Sequence, residues 1–91
     1  MKQLDEILEG LEDDRKVALT LSNGSVFGLR AFEMVDESIY NRADLCVAEI
    51  TSKIENVKDV FSIGNLLEFS IEEVVLVKDL EGGNILYNKT C

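Results

Sequence analysis

A chain of 91 residues with 46% hydrophobic and 30% charged side chains describes one globular domain over residues 1–91 rather than a disordered segment, and a domain this small buries only roughly 60–65% of its unfolded surface. A net charge of −9 repels phosphate at long range and counts against non-specific nucleic-acid binding. No apolar run approaches the ~20 residues that span a bilayer, and the acidic start lacks the continuous apolar core of a signal peptide, so a cytoplasmic protein with no membrane contact is expected.

The first fourteen residues hold Asp5, Glu6, Glu9, Glu12, Asp13 and Asp14 against Lys2 alone, a local charge of −5. Within them Leu4, Ile7, Leu8 and Leu11 recur at helical spacing, which predicts an amphipathic helix over roughly residues 2–13 with its acids on the outer face. Gly10 weakens that helix by about 1 kcal/mol, so docking on a core is needed to hold it.

From Val17 the period becomes two. Val17, Leu19 and Leu21 alternate with Ala18, Thr20 and Ser22, as in a half-buried strand. Asn23-Gly24 then predicts a type I′ hairpin that pairs Ser25 to about Val35 with the first strand. Gly28 inside the second strand predicts a bend or bulge. Residues 36–44 are polar and read as a loop, and Leu45–Ile54 reads as a third strand with Cys46, Ala48 and Ile50 on one face. After a charged turn the stretch Phe61–Val77 holds two short apolar strands around Ser70-Ile71-Glu72-Glu73, long enough for one 3₁₀ turn. Residues 80–91 form an extension in which Asn84–Tyr87 is either a sixth strand against Val74–Val77 or an arm reaching a neighbour.

Chemistry-bearing patterns are sparse. The chain has no histidine, and Cys46 and Cys91 show no metal-ligand spacing, so both read as free thiols and no metal or cofactor is expected. Without a paired nucleophile and base or a Gly-rich phosphate loop, the expectation is a protein that is not an enzyme. The acid pairs Asp13-Asp14, Asp36-Glu37 and Glu72-Glu73 read as solvated turn residues, because adjacent strand positions point to opposite faces.

The order of elements is a helix over 1–14, a strongly bent five-stranded antiparallel barrel over 15–79 with a 3₁₀ turn before the last strand, and an extension. It resembles the Sm-like family of small SH3-like barrels, and so do two segments. Val17–Asn41 shows the family's alternating apolar residues, turn glycine, bending glycine, Leu, aromatic, Asp and Asn. Phe61–Leu67 resembles its short apolar-Arg-Gly segment, with Ile63 where the family has the cation before Gly64. The resemblance implies a mostly β fold, assembly into a homo-oligomeric ring, and a weak RNA site built from Asp36, Tyr40, Asn41, Arg42, Gly64 and Asn65. The missing Arg removes a charge for phosphate and a planar face for stacking a base.

An open five-stranded barrel has two bare edges. The ring is expected to pair Leu66–Ser70 of one copy with Val74–Lys78 of the next, with Leu66, Leu67, Phe69, Val75 and Val77 at the interface. The alternative is an acidic protein-interaction module without RNA binding, in which the helix and the 36–44 loop hold a basic partner.

Overall fold

A computed structural model describes residues 4–34 and 45–89. The expectations for Val35, Asp36, Tyr40, Asn41, Arg42 and Cys91 lie outside the described residues. The fold is mostly β. Helix α1 (Leu4–Glu9) precedes strands β1 (Val17–Leu21), β2 (Val26–Met34), β3 (Leu45–Glu55), β4 (Leu66–Ser70), β5 (Val74–Asp79) and β6 (Ile85–Asn88). They form one open antiparallel sheet in the order β4-β3-β2-β1-β5-β6. In place of the expected five-stranded barrel there is an open sheet of six strands, and of the two alternatives for residues 84–87 the sixth strand against β5 is the one formed. No helix among the described residues is long and apolar enough to cross a membrane.

The helix is shorter than its apolar stripe suggested. It stops at Gly10, whose amide donates to the Glu6 carbonyl at 3.1 Å, and the chain then turns so that Arg15 N–H reaches the Glu12 carbonyl at 3.0 Å. Glycine and three consecutive acids offer little to extend a helix once Leu11 can reach the core from a turn. Leu4 and Leu8, one helical turn apart, are buried in the main core, and the helix packs on β2 and β6.

Strand β1 follows its period of two, with Val17, Leu19 and Leu21 buried and Ala18 and Thr20 half-buried. The Asn23-Gly24 hairpin forms, but with a different turn. Gly24 N–H donates to the Leu21 carbonyl at 2.9 Å, which makes Ser22 and Asn23 the central residues, and neither has a positive φ. Gly24 itself takes φ +92, so the connection is a turn followed by a glycine bulge rather than type I′. The Asn23 side chain accepts from Ser25 N–H at 2.9 Å, a local bond that favours this form.

Gly28 marks a bend. The β2–β3 register shifts between Gly28 and Leu29, and a Cβ placed on Gly28 would lie 2.1 Å from the Ser52 hydroxyl and 3.3 Å from the Ser52 Cβ, so a larger residue would have to displace the Ser52 side chain. A further shift between Arg30 and Glu33 coincides with Ala31 at φ 56. Phe61 reaches back to Phe27, edge to face at 5.2 Å between ring centres.

The Phe61–Val77 stretch makes its corner where expected. A 3₁₀ turn spans Ile71–Glu73, and Ser70 caps it by accepting Glu72 N–H on its hydroxyl at 3.3 Å. The strand before it begins only at Leu66, since the turn at Ser62–Asn65 intervenes.

Candidate functional site at the sheet edges

The first strand in the sheet order, β4, has β3 on one side and no partner on the other among the described residues. Its register with β3 runs unbroken from Leu66 opposite Glu49 to Ser70 opposite Leu45. Ile50 N–H donates to the Asn65 carbonyl at 2.9 Å. Because hydrogen-bonded and non-hydrogen-bonded pairs alternate along an antiparallel ladder, the amides of Leu67 and Phe69 face β3 while those of Leu66 and Glu68 face outward. Leu66 is 69% exposed, whereas Leu67 and Phe69 are buried in the core. Of the three β4 residues expected at an interface, only Leu66 presents its side chain and its backbone outward; Leu67 and Phe69 give their side chains to the core and their backbone groups to β3, and Glu68 supplies the next outward backbone groups.

The other expected edge differs. β5 lies between β1 and β6, with Leu76 opposite Asn88, Val77 opposite Tyr87 and Lys78 opposite Ile85. Lys89 continues the ladder by donating its N–H to the Val75 carbonyl at 2.8 Å. Val75 and Val77 therefore do not stand on a bare edge, because the chain's own sixth strand occupies it, and Val77 is fully buried.

The connection into β6 is anchored at Asp79. Asp79 ends β5 at 1% exposure. Its carboxylate receives a two-pronged bond from Arg15, with Nε donating at 3.1 Å to Oδ1 and Nη2 donating to Oδ2. Glu81 N–H donates to the same Oδ1 at 3.0 Å, Gly83 N–H to the Asp79 carbonyl at 2.8 Å, and Asp79 N–H to the Asn84 carbonyl at 2.7 Å. This arrangement folds the 80–84 connection and ties it to the segment before β1. The available signal was an acid followed by two glycines at the end of an apolar strand.

The Arg15 hydrogen bond holds the Asp79 carboxyl below the usual carboxylate range, against the opposing effect of burial. A depressed folded-state pKa contributes stability that is present above the unfolded value of about 3.9 and is lost as pH falls through the folded one. Thermal unfolding by circular dichroism between pH 7 and pH 2.5 is expected to show Tm falling in the acid range. Asp79→Asn should start lower and flatten that fall. An unchanged acid slope would remove Asp79 from the linkage.

Of the expected RNA residues, only Gly64 and Asn65 are described. Gly64 adopts φ +95 and donates its N–H to the Ile50 carbonyl at 2.8 Å, and both residues are exposed. Ile63 beside them is 65% exposed. Both described arginines are already paired with acids, Arg15 with Asp79 and Glu81, and Arg30 with Glu49 through Nε at 2.5 Å. Those partners raise both guanidinium pKa values, each first through its hydrogen bond, to Asp79 and to Glu49 respectively. Neither arginine is free to replace the missing cation of the Gly64 turn. Cys46 is buried and unpaired with another cysteine, and burial pushes its thiol up to about 11, the opposite of what a nucleophile needs.

Comparison with protein-family models, curated proteins and solved structures gives no significant match in any of the three.

Proposed function

We propose that this chain is a non-enzymatic, cytoplasmic module of the Sm-like type that assembles with copies of itself edge to edge, as a head-to-tail ring. The observation that carries the reading is the outer edge of β4: a regular register with β3 on one side, no strand on the other among the described residues, and Leu66 exposed. The edge carries no proline and no lysine, the usual blocks to pairing. The order β4-β3-β2-β1-β5, with a 3₁₀ turn leading into β5, supports the Sm-like reading of the sheet. A strand pairing with a different strand of the next copy is a heterologous contact, which closes into a ring if the rotation permits. RNA affinity is weak in this reading, because Ile63 stands beside Gly64 and the described arginines are occupied.

The test is light scattering across the micromolar range. The mass should rise with concentration and should rise further with added salt, which screens repulsion between copies of charge −9. A strict monomer throughout, with a folded circular dichroism spectrum, overturns the reading.

A second reading is favoured by a separate observation: Glu9, Glu12, Asp13 and Asp14 are all exposed. They form an acidic face suited to a basic protein. Such capture would weaken with salt, and changing these four residues to Gln or Asn should abolish it. The opposite salt dependence separates the two readings.

A further inference from the structure

Strand β6 lies on the edge that head-to-tail pairing would use. It has four residues, of which Ile85 is 59% exposed, and its ladder with β5 is interrupted between Val77 and Lys78. β4 offers five residues in an unbroken register. The same β5 groups, such as the Val75 carbonyl that accepts from Lys89, are taken by β6 within the chain and are wanted by β4 of a second copy.

We propose that β6 is an internal latch: it occupies the β5 edge of the isolated chain and must leave before β4 of another copy can pair there. The inference rests on the edge-assembly reading and adds its regulation. Several features suit a strand that both closes and opens. The connection is short and turns through Gly82 and Gly83, the latter at φ +76, with Asp79 fixing its start. A Cβ on Gly82 would meet the Asp79 carboxylate at 3.0 Å, a tight approach that a larger residue could make only by displacing that carboxylate. β6 is therefore well placed to return, while its side chains are only partly embedded: Leu86, Tyr87 and Asn88 are half-buried. A tethered strand has a high effective concentration, so it wins when the protein is dilute. A longer, regular ladder from another copy displaces it as concentration rises.

The ladder identifies a position for a staple. Lys89 N–H bonds the Val75 carbonyl, so alternation makes Leu76 and Asn88 a non-hydrogen-bonded pair, with Cα atoms close enough for a cross-strand disulfide. The experiment uses the full chain carrying Leu76→Cys and Asn88→Cys with Cys91→Ser; Cys46 is buried and does not compete. Light scattering should find the oxidised form monomeric at concentrations where the reduced form associates, and adding reductant should restore association. Tyr87→Pro in the otherwise natural chain removes a ladder donor and should shift association to lower concentration.

Equal association of the oxidised and reduced forms overturns the latch and leaves edge assembly standing, with β4 pairing elsewhere. Should the wild type, the reduced form and Tyr87→Pro all stay monomeric and folded, edge assembly itself fails and the latch with it. If Tyr87→Pro does not fold, the oxidised-against-reduced comparison decides alone.

Discussion

Phe27→Ala is expected to remove about 3–5 kcal/mol of stability, a large share of the roughly 5–15 kcal/mol that holds a typical domain folded. Phe27 is 1% exposed, on the strand that joins the two halves of the sheet through β1 and β3. Its ring packs on Phe61, so truncation also removes that edge-to-face contact. Leu19 and Lys53, opposite Phe27 on the two neighbouring strands, are fixed by their own ladders. A cavity here cannot easily collapse. Urea unfolding followed by circular dichroism should show a much lower midpoint, and Phe32→Ala, at a half-buried position, a smaller shift. Equal effects at the two positions would mean that the core is not centred on Phe27.

The second large effect concerns assembly rather than stability. Leu66→Lys should abolish self-association while leaving the monomer folded. Leu66 is 69% exposed and opposite Glu49, so a lysine there creates no cavity and meets a carboxylate across the strand. Its effect on folding should stay within about 0.5 kcal/mol, as for most surface changes. A lysine on an edge strand instead places a strongly hydrated charge where the next copy would dock. Glu68→Lys, outward on the same strand, is the companion. Loss of association at both positions with unchanged Tm assigns the contact to β4. Association that survives both substitutions assigns it elsewhere.

Much of this fold was legible in local pattern. The alternation of Val17, Leu19 and Leu21 gave β1 and its buried face, and Ser70-Ile71-Glu72-Glu73 gave the corner before β5. Asn23-Gly24 announced a hairpin, yet the turn type was decided by the Asn23 side chain bonding Ser25 N–H, which a dipeptide rule does not contain. The length of α1 was overread because an apolar stripe marks which residues touch the core and not whether they do so from a helix or a turn, as Leu11 does. The place of β6 was left between two alternatives for a stronger reason. Its connection is anchored at Asp79, which Arg15 meets across 64 positions of sequence, and nothing periodic links them. The interface residues suffered likewise: a period of two says that Leu67, Phe69 and Val77 share a face with the core, but not which strand lies on each side of them. The candidate RNA residues Asp36, Tyr40, Asn41 and Arg42 were chosen by resemblance, and they fall outside the described part of the chain.

The proposed self-assembly through the β4 edge is tested most directly at two backbone amides. The ladder to β3 turns the N–H groups of Leu66 and Glu68 outward, where water reaches them in the monomer. Residue-resolved hydrogen exchange at low and high protein concentration should show both amides fast when dilute and protected when concentrated. Leu67 and Phe69, bonded to β3, should be protected in both. Fast exchange of Leu66 and Glu68 at a concentration where light scattering reports an oligomer would contradict edge pairing by β4.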